Sequence, residues 1–534
     1  MATTLNFKNL IDVPEWRPMS VAPSASIDGQ CLCSDLRNDV SANPYIWKLA
    51  TTSTFEKYFP SNDEWVTPLA FTAVGGSIAA GAGIVFCPSH GPSGLVGGTP
   101  TTTSFTFAAL PNSASIGINQ LATQGDSIGY RIRVKANGAG HSGVTEERLV
   151  VANTAGTNPI VYLDSALSFT PTVTDSYELL SGRIYILGAG TTAAGFWKAY
   201  DIATQSISGN LSIVNLSATI GTDFNSIMMD ELYTPYNRQP GEGLVSGGST
   251  YNGVLYNCIK ATAVGGTTIT GSGMPAILAN EFRNFQVRIV QDATNPTAVG
   301  QRRKITSHTA GVNGVFTVPA WTVNPSTAAR FVVELNNDLI IWTNAVVTTY
   351  SYAAGGFAAN AAWSTAAIAG GATQYANSGA AMGAGCCGEM AFSIVPDIAR
   401  SSTNSHIYRF RGAGTTTLEE FDIAAGVNGV WTTISNYGGM LNTNLTTGTC
   451  SNPDAATNLG RYFYINVNGS QRMLRFDMLN RTLTPWAYLR FGQGTAVTGN
   501  KISTCTFIDG TTKVSLIYML RNSGIELFNC LLQR

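Results

Sequence analysis

Any chemistry performed by this chain has to come from a short supply of side chains. Its 534 residues hold only four histidines, His90, His141, His308 and His406, and none stands in an HxH, HExxH or i, i+4 relation. Cys87 and His90 lie three residues apart in a Pro/Gly loop, where a thiol and an imidazole could meet, but no third group is marked to orient the imidazole. His406 opens an expected strand, while His141 and His308 fall in Gly/Ser-rich or inserted segments. All are read as ordinary surface or capping residues. The acid pairs Glu146-Glu147 and Glu419-Glu420 are adjacent, so on a strand the two carboxylates point to opposite faces and do not make a glycosidase pair by themselves. No GxSxG elbow or Walker-type loop occurs, and the short clusters Gly188-Ala-Gly190 and Gly412-Ala-Gly414 read as turns. The nine cysteines are odd in number and scattered; Cys31-Leu-Cys33 and Cys386-Cys387 lack the CxxC spacing of a zinc site. They read as small buried hydrophobes in a reducing cell. The residues therefore assign no catalytic, cofactor-binding or metal-ligating position, and the expectation is a non-enzymatic protein.

The bulk composition says what kind of scaffold remains. Only 12% of residues are charged and 56 are glycine, a mixture suited to many short strands joined by tight turns rather than to long solvated helices. The net charge of −1 leaves no electrostatic footprint for nucleic acid or an anionic membrane surface, so no direct nucleic-acid binding is expected. No run of about 18 apolar residues suggests a membrane span. The amino terminus has no basic region followed by an apolar core, so no secretory signal is expected there.

A repeat runs through the chain. An aromatic-rich strand, a polar turn, a second strand and often a Trp-containing third begin at Tyr45, Arg183, Leu339, His406, Arg461 and Ser515. Middle strands correspond in Phe196-Trp-Lys-Ala-Tyr-Asp-Ile202, Leu418-Glu-Glu-Phe-Asp-Ile423 and Met473-Leu-Arg-Phe-Asp-Met478, each with an aromatic before Asp and an aliphatic residue. Trp65, Trp197, Trp342, Trp363, Trp431 and Trp486 recur about once per unit and read as core between units rather than sugar-stacking platforms. Period-two alternation gives each unit an apolar face it cannot hide alone, so copies must stack, and stacking around a ring is a propeller. The last three units start about 55 residues apart. The pattern resembles kelch-type blades without the usual Gly-Gly pair in most copies. The expected fold is all-β, a propeller of about six blades with two inserted small β-modules. The last blade stops without a Trp strand, and Trp16-Arg-Pro-Met19 is expected to supply it, joining the chain ends.

The earlier units are spaced by insertions of roughly 80 and 100 residues. These resemble each other: Tyr130-Arg-Ile-Arg-Val134 and Arg148-Leu-Val-Val151 match Val287-Arg-Ile-Val290 and Arg303-Lys-Ile-Thr306. The division expected is a closing strand and first blade in 1–75, an insert in 76–182, a second blade in 183–230, a second insert in 231–335 and the remaining blades in 336–534. The inserts also resemble a module of tailed-bacteriophage structural proteins, carried here by Arg303-Lys-Ile-Thr306, Val318-Pro-Ala-Trp-Thr322 and Asn324-Pro-Ser-Thr327 over about a fifth of the chain. That resemblance implies a virion protein of the tail, nozzle or hub, neck or fibre attachment. It would be made in the host cytoplasm and assembled with other virion proteins as a homo-oligomer. A carbohydrate- or receptor-binding propeller is the alternative.

Overall fold

The computed structural model describes residues 16–26, 31–35, 45–51, 54–70, 83–87, 90–110, 114–122, 130–136, 145–187, 197–207, 224–229, 256–272, 276–334, 338–343, 346–350, 387–391, 406–412, 415, 417–427, 429–436, 450–453, 462–466, 472–477, 480–488, 502–509, 512–521 and 526–533. The protein is all-β, as its Gly/Thr/Asn-rich composition demands. Six small antiparallel sheets follow one another along the chain, each a meander of neighbouring strands. Sheet I holds Leu32–Ser34, Ile46–Thr51, Thr54–Phe59 and Glu64–Ala70. Sheet II holds Gly83–Cys87, Arg183–Leu187, Trp197–Asp201 and Ser206–Ile207, and sheet III holds Phe224–Met229, Asp338–Thr343 and Val346–Tyr350. Sheet IV runs through Cys387–Ala391, His406–Phe410, Thr417–Asp422 and Val430–Asn436, and sheet V through Cys450–Pro453, Tyr462–Asn466, Arg472–Asp477 and Thr482–Tyr488. Sheet VI contains Ile502–Asp509, Thr512–Arg521 and Glu526–Gln533.

The fourth strand of sheet VI comes from the other end of the chain. Arg17–Pro18 pairs antiparallel with Glu526–Gln533, placing Arg17 opposite Asn529 and Pro18 opposite Phe528. Trp16 is 2% exposed and packs with Tyr464 and Met473 of sheet V and with Ile517, Met519 and Cys530 of sheet VI. Pro18 suits this edge position, because an outermost strand needs no donor on its solvent side. From there the chain crosses to sheet I, where Ser20 N–H donates to Asp63 Oδ1 at 2.8 Å and Trp65 Nε1 donates to the Ser20 carbonyl at 2.9 Å.

The first strands of the sheets touch in cyclic order: I against II, II against III, III against IV, IV against V, V against VI and VI against I. Neighbouring sheets stack face to face. Trp47 and Phe55 of sheet I meet Tyr200 of sheet II at 5.5 and 5.1 Å between ring centroids, and Tyr58 on the opposite face meets Tyr518 of sheet VI at 5.8 Å. Tyr408, Phe410 and Leu418 of sheet IV share a core with Ile465, Leu474 and Phe476 of sheet V. The recurring aromatic-Asp-aliphatic motif has a local cause. The aromatic is buried, Tyr200 and Phe476 between neighbouring sheets and Phe421 against the second inserted segment, while Asp422 and Asp477, at strand ends, accept turn N–H groups of Ala424 and Asn480 at 2.9 and 3.1 Å.

Within the sheets, charged residues opposite each other on the second and third strands are buried as pairs. Lys48 faces Glu56, Arg183 faces Asp201 and Arg409 faces Glu419, with N···O distances of 2.7, 2.6 and 2.7 Å. Ser24 completes the first of these, its carbonyl accepting from Lys48 and its hydroxyl donating to Glu56.

The repeat units, read as starting at Tyr45, Arg183, Leu339, His406, Arg461 and Ser515, all start one strand earlier; in sheets II and III those first strands are Gly83–Cys87 and Phe224–Met229. Gly83–Cys87 lies within the span assigned to the first insert. Each inserted module therefore leaves the first strand of its sheet and returns into the second. These first strands lack the Tyr- and Trp-rich signature of the repeat, being built from small or mixed residues. Trp363 lies outside the described residues, and with it the end of the unit expected to run there from Leu339.

Two stability predictions follow from these contacts. Removing residues 1–25, or replacing Trp16 by Ala, is expected to lower the melting temperature sharply, with about 3–5 kcal/mol lost for the substitution; an unchanged calorimetric transition would refute the clasp. Lys48→Met alone should cost about 3–5 kcal/mol by leaving Glu56 buried and unpaired, and Lys48→Met with Glu56→Leu should recover most of it in denaturant titration.

Candidate interaction site: the paired inserted modules

Each module is a small β-structure with its own core, and the two match strand for strand. In module 1, Ser93–Gly97, Ser104–Phe107, Arg131–Lys135, Thr145–Asn153, Ile160–Leu163 and Ser176–Leu180 close into a six-stranded barrel. In module 2 the counterparts are Tyr256–Val264, Thr268–Ser272, Gln286–Gln291, the pair Arg302–Lys304 and Ser307–His308, Val315–Thr317 and Arg330–Glu334. The neighbour order is the same. The long strand Thr145–Asn153 is replaced by two short ones, which pair separately with Gln286–Gln291 and Val315–Thr317, so the sheet opens at that seam.

The likeness extends to single hydrogen bonds. Isolated bridges join Ile116 to Gly156 in one module and Ile277 to Gly311 in the other. Asn119 and Asn280 take equivalent left-handed positions, with φ of 56° and 62°, which Asn tolerates better than most residues. Their Oδ1 atoms accept the backbone N–H of Asn153 and His308 at 3.1 and 2.9 Å. Arg148 and Arg303 each donate Nε across the barrel, to the carbonyls of Ala166 and Ala320 at 3.2 and 2.9 Å. In module 2 the Arg303 guanidinium also lies 5.6 Å from the Trp321 ring centroid and donates to Thr322 Oγ1 at 2.9 Å. Asp292 accepts from the Ser326 hydroxyl at 2.6 Å. Burial disfavours the Asp292 carboxylate, yet the hydrogen bonds from Ser326, Asn295 and Thr294 hold it below its ordinary range. The Arg-Lys-Ile-Thr and Pro-Ala-Trp-Thr segments are thus bonded to each other, while the Asn-Pro-Ser-Thr segment is held by Asp292 and Asn295.

Both modules rest on equivalent turns, those between the third and fourth strands of a sheet. Gln120 Nε2 of module 1 donates to the Ala203 carbonyl of sheet II at 2.6 Å. Module 2 sits on sheet IV, where Asn284 Nδ2 donates to the Ile423 carbonyl at 2.5 Å and an Arg283 guanidinium N–H to the Gly426 carbonyl at 2.6 Å. Its core runs without a break into Ile407, Phe421 and Ile423 of that sheet.

The Cys87/His90 segment is the neck of module 1. His90 is buried and its Nδ1 lies 2.7 Å from the Tyr185 hydroxyl, while its carbonyl accepts the Gly182 N–H at 2.8 Å. An Arg183 guanidinium N–H donates to the Gly91 carbonyl at 2.8 Å and Nε to Asp201 at 2.6 Å, so the outgoing and returning chains are tied together. Gly182 is required there: its φ is +90°, and a Cβ would fall 2.5 Å from the Phe86 ring. His90 is a structural tie, as its burial and its tyrosine partner explain.

The remaining expected positions resolve as follows. His308 is buried rather than superficial, and His406 opens the strand His406–Phe410; His141 lies outside the described residues. Glu419 and Glu420 do point to opposite faces: Glu419 meets Arg409 and Arg411, and Glu420 accepts from the Tyr408 hydroxyl at 2.6 Å and from Arg481 at 2.8 Å. Glu146 bonds Arg148 and Ser168. Trp65, Trp431 and Trp486 are partly buried and lie on rings of their own sheets, Tyr58, Phe421 and Tyr464, at centroid distances of 5.2, 4.7 and 4.6 Å. Among the described residues the tryptophans buried between sheets are Trp16, expected to complete the last repeat, and Trp47, which was not among the recurring tryptophans. Cys31, Cys87 and Cys530 are buried, and burial pushes the Cys530 thiol up to about 12 although Arg17 opposes it. Among the described residues, no three His, Cys, Asp or Glu side chains gather as a metal site.

Glu147 is where the modules meet. One carboxylate oxygen lies 2.7 Å from Arg133 and 3.8 Å from Arg288 of module 2, and the other lies 3.7 Å from Arg131. Arg133 and Arg288 hold equivalent strand positions, opposite Glu178 and Val332, and Glu147 corresponds to Arg302. The arrangement offers a closed barrel beside its open counterpart and, among the described residues, no cluster of His, Cys, Asp or Glu that could hold a metal.

No family model matches the chain, and no curated protein sequence matches it. Among solved structures, it is similar to an auxiliary nutrient-binding protein from Bacteroides thetaiotaomicron, with 11% identity over 83% of each chain and a TM-score of 0.21, too low to support an argument. No helix among the described residues is long and apolar enough to cross a membrane.

The geometry at Glu147 predicts unequal effects of two truncations. Arg288→Ala should change stability by about 1 kcal/mol or less, since a long, partly solvated ion pair contributes little. Glu147→Ala should cost more, about 2 kcal/mol, because it removes the 2.7 Å partner of the buried Arg133 and leaves that cation with Glu178 at 3.5 Å. Urea unfolding of both variants checks the order.

Proposed function

We propose that this chain is a non-enzymatic structural component of a tailed-phage virion, positioned in the tail, nozzle or hub, neck or fibre attachment, with the six sheets acting as blades of one kelch-like propeller. The cyclic contact of first strands, I through VI and back to I, supports the propeller, because sheets stacked by both faces close only as a ring. The observation that carries the functional reading is the pair of matching modules inserted at the same connection of consecutive sheets, II and III. Insertions at equivalent connections emerge on one side of a propeller, so the modules stand together there as an interaction surface. The Arg303–Trp321 contact and the Ser326–Asp292 bond of module 2 lie in the segments that resemble phage structural modules.

The chemistry agrees with such a role. The acidic residues Glu147, Glu419 and Glu420 are engaged by guanidinium groups. A charge-poor surface with a net charge of −1 favours packing against other protein surfaces over polyanions. The partners in this reading are other copies of the chain and other virion proteins, assembled in the host cytoplasm.

Negative-stain microscopy with light scattering on the purified chain tests this. Toroidal particles gathered in rings or sleeves of defined symmetry are expected; a strictly monomeric species at high concentration, together with a positive glycan array, would replace this reading by a receptor-binding propeller.

A further inference from the structure

Where the modules differ at one matched position, that difference bears on pH. The loop that seats module 2 on sheet IV is held by His308, whose Nε2 accepts the Phe282 N–H at 2.7 Å. The same bond in module 1 is made by an amide: Asn153 Oδ1 accepts the Leu121 N–H at 2.8 Å. An amide oxygen accepts at any pH, whereas an imidazole nitrogen accepts only while unprotonated.

We propose that His308 is an acid-operated latch: protonation turns Nε2 from the acceptor of the Phe282 N–H into a donor facing it, and loop 277–285 then releases sheet IV. The other ring nitrogen lies 3.0 Å from the Thr309 carbonyl, which fixes the neutral tautomer with hydrogen on Nδ1. The imidazole is 4% exposed and lies between the rings of Phe282 and Phe316, at 5.6 and 5.1 Å, so water does not replace the lost bond. Two residues beyond Phe282 is Asn284, which donates to the Ile423 carbonyl, and between them Arg283 donates to the Gly426 carbonyl. Losing the Phe282 anchor therefore loosens both bonds to sheet IV.

The charged groups around the ring act in the same direction. Burial lowers the His308 pKa below its ordinary value, the Thr309 carbonyl opposes this, and the Arg283 cation lowers it further. Glu281, on the same loop, is turned away to accept the Leu278 N–H at 2.9 Å. From the strand Val315–Thr317 the ring meets Phe316, and from the preceding turn Asn280, whose N–H donates to the His308 carbonyl. With the folded pKa depressed, the neutral ring's stabilising contribution is complete above the unfolded value of about 6.5 and is lost as the pH falls below it. The inference stands independently of the virion reading.

Hydrogen exchange on the full chain at about pH 7.5 and about pH 5, corrected for intrinsic rates, tests the latch. Wild type should lose protection about tenfold or more at Phe282 and Asn284 on acidification, while Leu121 in module 1 holds. His308→Asn should keep its loop protected at both pH values. Asn153→His should transfer the acid sensitivity to Leu121. Wild-type protection that is independent of pH, or an equal loss in His308→Asn, overturns the proposal. Should His308→Asn disturb the loop already at neutral pH, the Asn153→His graft decides: acid-stable protection of Leu121 overturns the latch.

Discussion

The structure depends on the burial of both faces of its small sheets, as sheets I and V show. In sheet I, Trp47 and Phe55 point toward sheet II while Tyr58 points toward sheet VI. In sheet V, Ile465 and Leu474 face sheet IV while Tyr464 and Met473 face sheet VI and Trp16. A linear stack of such sheets would leave an apolar face bare at each end, costing about 1.5–3 kcal/mol for each large side chain exposed. Pairing Arg17–Pro18 into the last sheet holds the two chain ends together and places Trp16 in the layer between sheets V and VI.

Burial on both sides raises a second difficulty, because it makes register errors cheap for apolar residues of similar size. The cross-strand pairs Lys48–Glu56, Arg183–Asp201 and Arg409–Glu419 remove that degeneracy. Sliding the second strand past the third by two residues keeps each side chain on its face but separates the ions, leaving charges buried without partners at several kcal/mol each. The pairs contribute less to net stability than to choosing one alignment. Arg183 does double duty, since it also fixes the neck of module 1 at the Gly91 carbonyl.

What could be read from the sequence follows from these forces. The second and third strands were legible because intersheet packing demands large apolar residues at period two, as in Ile184 and Ile186 or Leu474 and Phe476. The closing strand was legible because Trp16 and Pro18 are edge-strand residues left without another place. First strands were not legible. They touch one another from sheet to sheet, and five of the nine cysteines fall on them: Cys33, Cys87, Cys387, Cys450 and Cys505. What looked like scatter is one small residue on the first strand of each of sheets I, II, IV, V and VI. The module match was visible in the Arg-containing strands. The roles of His308 and Glu147 were not, since each depends on a group brought close only by tertiary structure, such as Phe282, 26 residues from His308.

The two modules share a topology but not a mode of attachment, and magnitudes decide which contact sets their placement. Module 2 is continuous with sheet IV through Ile407, Phe421 and Ile423, each of which is 1% exposed or less. Burial of three such side chains is of order 5 kcal/mol or more. The tie between modules through Glu147 and Arg288 spans 3.8 Å with side chains 19% and 12% exposed, and contacts of that kind contribute about 1 kcal/mol at most. Module 1 adds the Gln120 bond and the neck around Gly182 and His90. The seats on the sheets therefore position the modules, and the ion pair adjusts the fit between them. Weakening the seat of module 2 at loop 277–285 shifts that module's position more than any change at Glu147, which is why the single histidine in that seat outweighs the more conspicuous cluster of arginines.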